Sequence, residues 1–268
     1  MKSQNFLKEI DKKERFEFGS NWKNFLKTIN TSSIKKAEDS LKDMLKVQNL
    51  KGKTFLDVGS GSGLFSLAAK NLGARVISFD YDINSVWCTS ELKLRFYEND
   101  NDWEIMKGSI LDKNFISNLG KFDYVYSWGV LHHTGNMKIA LKNIIKLVKD
   151  NGFLFISIYN YQPILSRYWK IVKKLYNKRI FMRPILFLLH FFYPTLPSII
   201  WKTFQRRKVP RGMNIYYDLI DWIGGYPFEV ATPKEIFNFY RDNGFTLKEI
   251  NTVGGKSGCN EFVFFKIS

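Results

Sequence analysis

A glycine-rich turn between a strand pattern and a helix pattern constrains the fold of this chain more than any other feature. It reads Phe55-Leu56-Asp57-Val58-Gly59-Ser60-Gly61-Ser62-Gly63. Glycine is needed where a backbone turns sharply and where a ligand must come closer than a Cβ allows. A strand followed by such a turn and a helix begins a β/α repeat. We therefore expect a parallel sheet with a ligand at its strand ends.

Short β-rich runs alternate with helical patterns through the middle of the 268-residue chain. Strands are predicted at Thr54–Val58, Arg75–Asp80, Trp103–Lys107, Phe122–Ser127 and Phe153–Tyr159. Helices are predicted between them at Gly63–Leu72, Ile83–Tyr97 and Met137–Asp150. This alternation is typical of a doubly wound, mostly parallel sheet with helices on both faces.

Patterns near both ends complete the predicted fold. Ser33–Val47 has apolar residues at helical spacing and predicts a helical cap before the sheet. Thr232-Pro233, followed by a glutamate, has the form of a capping box with proline in the first turn. Phe245–Val253 and Asn260–Ile267 predict an antiparallel hairpin. The predicted fold class is therefore α/β, with a Rossmann-like, seven-stranded, mostly parallel sheet, a C-terminal antiparallel hairpin and an inserted helical lid.

The insert lies between the fifth strand and the capped helix. From Tyr161 to Arg211 the sequence has 12 Lys or Arg, no Asp or Glu and 11 aromatic residues, against a net charge of +16 for the whole chain. The lid could lie on an anionic membrane surface through its apolar core, Ile185–Tyr193, or its aromatics could pack over a substrate while its charges stay solvated. The predicted units are a helical cap at 1–50, a core at 51–160, this insert at 161–231, and a terminal helix and hairpin at 232–268.

Two acidic residues near the turn indicate the chemistry of the ligand. Asp57 precedes the first glycine by two residues, where its charge would repel a pyrophosphate but suit a cation. The third glycine also comes one residue earlier than in a dinucleotide fingerprint. Asp80 ends the second strand, where a carboxylate can accept hydrogen bonds from both ribose hydroxyls. These features fit S-adenosylmethionine better than NAD.

The fourth strand runs into two adjacent histidines, His132 and His133. Ligands of an open α/β sheet bind beyond the carboxyl ends of its strands, so these residues should face the reacting group. His133 could act as a general base, or it could hydrogen-bond the backbone and shape the loop. No Asp, Glu or His at metal-ligand spacing accompanies the pair, so no metal is predicted.

Four stretches together resemble the successive motifs of class I S-adenosylmethionine-dependent methyltransferases. They are Leu56–Gly63, Ser78–Asp82, Lys107–Asp112 and Phe122–Gly135. Within that superfamily they are similar to the small-molecule branch that includes the quinone-biosynthesis O- and C-methyltransferases. The resemblance implies S-adenosylmethionine as cofactor and methyl transfer as the reaction, and it leaves the acceptor open.

The resemblance also implies a set of cofactor-binding residues. They are Asp57, Gly59, Ser60, Gly61, Gly63, Asp80, Tyr81, Ser109, Ile110 and Trp128, with His133 as the catalytic residue. The family usually has Gly-Asp after the third strand, whereas this chain has Gly108-Ser109. Adenine recognition is then left to Ser109, to apolar contact from Ile110, or to Asp112 as a substitute.

The acceptor is expected to be a small molecule, lipid-linked or otherwise apolar, with O-methylation favoured. Candidate contacts are His132, Tyr159, Arg211, Trp222 and Tyr226. Phe18–Trp22 is either an aromatic lid over the cofactor or part of the core of the helical cap. Two other functions stay open, namely an RNA methyltransferase that uses the basic insert and a non-catalytic scaffold that binds S-adenosylmethionine. Nucleic acid is the less favoured partner because so apolar an insert makes a poor phosphate groove.

Cysteine use and hydropathy indicate the compartment. Cys88 and Cys259 are far apart and outside any CxxC pair, so a reducing cytoplasm fits best. The first residues lack an apolar run typical of a signal peptide. Arg183 and three prolines interrupt the apolar stretch Ile180–Trp201, so no transmembrane helix is predicted. We expect a cytoplasmic protein, with peripheral contact to the inner face of a membrane as the open alternative.

Overall fold

A seven-stranded sheet forms the centre of the fold. The computed structural model describes residues 8–195 and 215–268. In chain order the strands are β1 Thr54–Val58, β2 Arg75–Asp80, β3 Trp103–Lys107, β4 Phe122–Trp128, β5 Val148–Tyr159, β6 Phe245–Asn251 and β7 Cys259–Lys266. Their order in the sheet is β3-β2-β1-β4-β5-β7-β6. Strands β1 to β5 are parallel, and β7 runs antiparallel to both β5 and β6. The predicted fold class is confirmed.

Helices cover both faces of the sheet. They are α1 Phe18–Leu26, α2 Thr31–Leu45, α3 Leu64–Asn71, α4 Ile83–Tyr97, α5 Lys113–Leu119, α6 Met137–Ile145, α7 Pro163–Lys178, α8 Met182–His190, α9 Ile215–Gly224 and α10 Pro233–Arg241. Side chains alternate between the faces along each strand. Phe55 therefore packs in a core with α2, α3 and α4, while its neighbour Leu56 packs in the opposite core with α6 and α10.

The strand order determines where the sheet can form a ligand crevice. The chain moves outwards from β1 to β3 on one side and resumes at β4 on the other side of β1. In open α/β sheets the ligand binds beyond the carboxyl ends of the strands at this reversal. The turn after β1 and the loop after β4 are in contact there, because a Cβ added to Gly59 would lie 2.5 Å from the side chain of Val130.

Two helix predictions need correction. The helix predicted to end at Asp150 ends at Ile145, because β5 begins at Val148 and continues through Asn151, whose φ is 60°. Helix α5 was not predicted, and its first turn is capped by Asp112, whose carboxylate accepts from the N–H groups of Asn114 and Phe115. The capping box of α10 is present as predicted, with Thr232 and Glu235 each accepting the other's N–H.

Helices α7, α8 and α9 pack on one another and on the end of β5. Their shared core contains Trp169, Val172, Tyr176, Leu186, Leu219, Ile223 and Phe228, with Tyr159 packed against it. These three helices therefore lie at the carboxyl end of β5. Whether residues 161–231 form a separate unit stays a prediction. In the described part of the chain, no helix is both long and apolar enough to cross a membrane.

Candidate active site

The glycine-rich turn wraps back against the end of β2. The N–H groups of Gly59 and Ser60 both donate to the carbonyl of Phe79. Gly63 has a φ of +81°, and a Cβ there would lie 2.8 Å from the Cα of Thr89 on α4. No other residue type fits this position without moving a helix. The turn therefore packs against β2 and α4 more closely than a side chain would allow.

Asp57 ends a chain of buried hydrogen bonds beneath the turn. Ser66 Oγ donates to Asp57 Oδ2 at 2.5 Å, Ser78 Oγ donates to Ser66 Oγ at 2.8 Å, and Trp103 Nε1 donates to Ser78 Oγ at 2.9 Å. Burial raises the pKa of Asp57 to about 7, against the opposing effect of the Ser66 hydrogen bond. A nearby cation would favour the ionised carboxylate.

Asp80 lies across the same turn. Its Oδ2 accepts from the N–H of Gly61 and its Oδ1 from the N–H of Asp82, both at 2.9 Å. Burial raises the pKa of Asp80 to about 7, and its charge also raises the pKa of Asp57. The carboxyl groups of Asp57 and Asp80 therefore flank the glycine-rich turn. This arrangement fits a ligand that has both a positive charge and ribose hydroxyls.

The segment before the sheet covers this turn, and only Phe18–Trp22 within it was predicted as a candidate. The Trp22 ring lies 3.1 Å from a Cβ added to Gly61 and also packs edge-on against Phe25. Trp22 thus both covers the turn and joins the core of the cap. The N–H of Gly19 donates to Asp82 Oδ2 at 2.8 Å, which fixes α1 to the N-terminus of α4.

Arg15 connects the covering segment to the histidine loop and was missed. Its guanidinium donates to the carbonyls of His133 at 2.8 Å and Thr134 at 3.2 Å. The same group lies 5.1 Å from the ring centroid of Tyr81 and is paired with Glu9 at 2.6 Å. No periodic pattern in the sequence marks Arg15, because the loop that it joins, at His133 and Thr134, is more than 100 residues away.

The residues expected to contact adenine form hydrogen bonds within the protein. Ser109 Oγ accepts from the N–H of Leu111 at 3.2 Å, and the carbonyl of Ile110 accepts from Asn143 at 2.8 Å. The Asp112 carboxylate caps α5, so its place as a substitute adenine partner is not supported by its position. Trp128 donates from Nε1 to Glu261 Oε1 at 2.7 Å across the sheet.

The two histidines have opposite tautomers. His133 Nδ1 donates to the carbonyl of Pro227 at 2.6 Å, which leaves the lone pair on Nε2. His132 Nδ1 accepts from the N–H of Tyr159 at 3.3 Å, so the hydrogen lies on Nε2. Burial lowers the pKa of His133 to about 3 and lowers that of His132 well below its usual value. Both imidazoles are therefore neutral at physiological pH.

An aromatic cluster continues from the histidines towards the insert. The Tyr159 ring centroid lies 4.0 Å from that of His132, 5.2 Å from that of Trp222 and 5.4 Å from that of Phe228. Three predicted acceptor contacts, His132, Tyr159 and Trp222, are thus brought together. The carbonyl of Tyr226 accepts from the N–H of Phe16, which packs against the core of α7, α8 and α9. Arg211 falls outside the described residues.

Lys173 was not predicted as a site residue, although the sequence places this lysine within an apolar helical stripe. It is fully buried on α7, in the same helical stripe as the buried Trp169, Val172 and Tyr176. A charged residue in an apolar stripe is rare unless it is paired or functional.

Across the described residues, no three His, Cys, Asp or Glu side chains converge in a way that could hold a metal ion.

Comparisons with known proteins show which family and fold the chain resembles. A family model described as a methyltransferase domain matches residues 29–184, more than half of the chain. The ubiquinone biosynthesis O-methyltransferase of Glaesserella parasuis is 30% identical over 115 residues, covering 43% of this chain and 49% of that protein. The ribosomal protein L11 methyltransferase of Helicobacter hepaticus is 33% identical over 115 residues, covering 39% of this chain and 34% of that protein. The matched stretch spans half or less of each relative.

A solved structure extends the likeness to the whole fold. Magnesium protoporphyrin IX methyltransferase of Synechocystis PCC 6803, solved with SAH bound, aligns with a TM-score of 0.53 and 14% sequence identity. The alignment covers 89% of this chain and 88% of that chain. At this identity the likeness concerns the fold alone.

Proposed function

The chain belongs to the methyltransferase-domain family, and from that premise we propose that it transfers a methyl group from S-adenosylmethionine to an oxygen of a small, apolar acceptor. Family membership confirms the enzyme class and the cofactor predicted from the sequence. The observation that carries the proposal is the pairing of two sites at the sheet reversal. Asp57 and Asp80 flank the turn after β1, and the His132–Tyr159 aromatic cluster lies beyond β4 and β5.

The residues present fit the cofactor. When bound, S-adenosylmethionine supplies a methyl carbon activated by a positively charged sulfur. Asp57 would lie near that charge, Asp80 would accept from the ribose hydroxyls, and the backbone of Gly61 would allow close approach. Trp22 and Arg15 would exclude water from above the turn, which strengthens electrostatic interactions within the site. Each of these roles is proposed for a group that lies at or beside the turn after β1.

Methyl transfer is a direct displacement. The lone pair of the acceptor oxygen forms the bond to the methyl carbon while the carbon–sulfur bond breaks and its electron pair stays on sulfur. Alignment of the two reactants supplies most of the rate enhancement in such a reaction. The acceptor proton becomes strongly acidic as the oxygen is alkylated, so even the weakly basic His133 Nε2 can take it. Its low pKa keeps this lone pair free throughout the physiological pH range.

A small-molecule acceptor is favoured over RNA or protein. The aromatic cluster is buried beneath α7 and α9, where the rings of Tyr159, Trp222 and Phe228 meet. A planar apolar molecule can pack against these aromatic rings, whereas a folded RNA or a ribosomal protein would need an open groove. The basic insert is the feature that keeps the RNA alternative open.

Methyl-labelled S-adenosylmethionine tests the acceptor class directly. The protein is incubated with lipid, polar-metabolite, RNA and protein fractions of an extract, and the label is followed in each. We expect label in the lipid or apolar small-molecule fraction. Label confined to RNA or protein would overturn the small-molecule proposal. Cofactor binding by calorimetry without label in any fraction would favour the scaffold alternative.

Cofactor affinity should depend on pH. The pKa values of Asp57 and Asp80 are about 7 in the free protein, and the cofactor needs both groups ionised. Affinity should therefore fall as pH falls, by about tenfold per pH unit below 7 for each carboxyl that must ionise. Calorimetry at pH 6 and pH 8 measures this change. S-adenosylhomocysteine, which lacks the sulfonium charge, should show a smaller change, and Asp57→Asn should reduce the difference between the two ligands. Equal affinities at both pH values would contradict the roles of the carboxyls.

We also propose that the outer faces of α7 and α8 contact an anionic membrane surface. Their exposed apolar side chains include Ile164, Leu165, Ile171, Leu175, Ile185, Leu188 and Leu189, with Phe181 and Phe192 at the helix ends. Exposed basic residues lie among them: Arg167, Lys170, Lys174, Lys178, Arg179 and Arg183. Residues 161–195 contain no acidic side chain, so this surface, the α7–α8 face, complements anionic headgroups. It would bring an apolar acceptor close to the aromatic cluster.

Flotation with liposomes tests the α7–α8 face. Binding should appear with anionic vesicles, weaken with salt, and be lost when Ile185, Leu188 and Leu189 become Ser. Phe187 and Phe191 are partly buried against the helical core, so the test avoids them. The matched control replaces Leu94 and Phe96, which are exposed on α4. Flotation that is absent at low salt, or equally lost in the control, would contradict membrane contact.

A further inference from the structure

A buried ammonium group lies at the centre of the aromatic cluster. Lys173 is fully buried, and its Nζ lies 5.7 Å from the ring centroid of Tyr159, 5.1 Å from that of Trp222 and 5.0 Å from that of Phe228. It donates a hydrogen bond to the carbonyl of Trp222. An ammonium group has three N–H donors, and among the described residues this carbonyl is its one hydrogen-bond acceptor.

The charges around Lys173 favour its protonated form less than burial disfavours it. Asp221, which precedes Trp222 on α9, is the carboxylate that favours the charged amine. Its Oδ1 also accepts from Asn21 Nδ2 at 2.7 Å. Burial outweighs Asp221 and lowers the pKa of Lys173 to about 7. A buried amine with unused donors is costly to the fold, which makes it a candidate for a ligand-binding role.

A second donor without a partner lies against the same tyrosine. His132 is fully buried, and because its Nδ1 accepts from Tyr159, its Nε2 carries the hydrogen. Within the described ranges, Nε2 has no hydrogen-bond acceptor. The charge of Lys173 contributes to the lowered pKa of His132, so the two groups are within electrostatic reach of each other. Buried polar atoms are almost always hydrogen-bonded, so this exception calls for a reason.

We propose that Lys173 and His132 form a subsite that binds a negatively charged oxygen of the acceptor, in the form of an aromatic carboxylate. Such an oxygen would accept hydrogen bonds from Nζ and from Nε2 together, which removes the cost of leaving both donors unpaired. The planar ring that carries it would pack between Tyr159, Trp222 and Phe228. This inference rests on the proposed function, because it names the class of acceptor for the same site.

The location of the subsite sets how a ligand enters. Lys173 comes from α7, the Trp222 carbonyl from α9, and His132 from the loop after β4. Because Nζ is fully enclosed, an acceptor reaches it only when α7 and α9 move apart. The insert therefore both closes the site and supplies its charge.

Equilibrium binding tests the subsite without requiring the natural acceptor. With saturating S-adenosylhomocysteine present, 4-hydroxybenzoate and its neutral isostere 4-hydroxybenzamide are titrated into the protein by calorimetry. We expect the carboxylate to bind at least about tenfold more tightly than the amide. Lys173→Met should bring this ratio close to one, and His132→Phe, which keeps the ring packing, should reduce it in part. Lys174→Met, on the exposed side of the same helix, should leave the ratio unchanged.

The outcomes separate this inference from the proposed function. An unchanged ratio in Lys173→Met, equal affinities in the unmodified protein, or no binding of 4-hydroxybenzoate up to about 10 mM would each overturn the subsite. Thermal unfolding gives an independent measurement, since removal of a buried amine whose burial outweighs the favourable charge of Asp221 should leave the midpoint unchanged or higher. A lower midpoint would assign Lys173 to the packing of α7 on α9. Failure of S-adenosylhomocysteine to bind the unmodified protein would instead overturn the proposed function.

Discussion

Gly61→Val is expected to remove nearly all binding of S-adenosylmethionine. Gly61 has a φ of +54°, a region that β-branched residues avoid, and its Cβ position lies 3.1 Å from the Trp22 ring. Its N–H also donates to Asp80, so a distorted turn would misplace that carboxyl. We expect affinity to fall at least about a hundredfold, or roughly 2.8 kcal/mol, measured by calorimetry.

Gly120→Val is the matched control for backbone strain. Gly120 also has a positive φ, +79°, but no atom lies within 4 Å of its Cβ position. It precedes β4, at the edge of the sheet opposite the crevice. This variant should lose stability and keep its cofactor affinity. Equal loss of affinity in both variants would indicate general destabilisation, and unchanged affinity in Gly61→Val would move the cofactor site away from the turn.

The sheet was predictable because its signals are local. The first three strands have the bounds expected from the sequence, since each is a short apolar run between turn residues. Helix α5 was not predicted, because its seven residues are too few to show a helical period. The start of β5 was missed because Asn151-Gly152 has the composition of a helix end, although the strand continues through both residues.

The candidate site was predictable only where its residues adjoin strand ends. Asp57 and Asp80 occupy positions that the β/α pattern already places at one edge of the sheet. Arg15 reaches the same edge from a separate segment, and nothing in its spacing links it to that edge. Trp22 comes from the same segment, where the aromatic composition of Phe18–Trp22 left a lid and a cap core as alternatives. Lys173 could have been found from the helical stripe, but its partners, the carbonyl of Trp222 and the carboxylate of Asp221, come from α9 and are not visible in the sequence of α7.

His133→Ala is expected to lower turnover by about a hundredfold or more while leaving cofactor affinity nearly unchanged. The loss has two possible physical causes in this geometry. The variant removes the Nε2 lone pair, and it also removes the Nδ1 hydrogen bond to the carbonyl of Pro227. Methyl transfer from labelled S-adenosylmethionine to the active extract fraction measures turnover. His132→Ala should lower turnover less.

His133→Asn separates the two causes, because the asparagine amide can donate to Pro227 in place of Nδ1 but has no group in place of Nε2. If His133 takes the acceptor proton, this variant should be as slow as His133→Ala. In the unmodified protein, protonation of this imidazole should not lower turnover between pH 5 and pH 8 when cofactor is saturating, because its pKa is about 3. Recovery of turnover to within about threefold of the unmodified protein in His133→Asn would show that His133 acts by shaping the loop against Pro227.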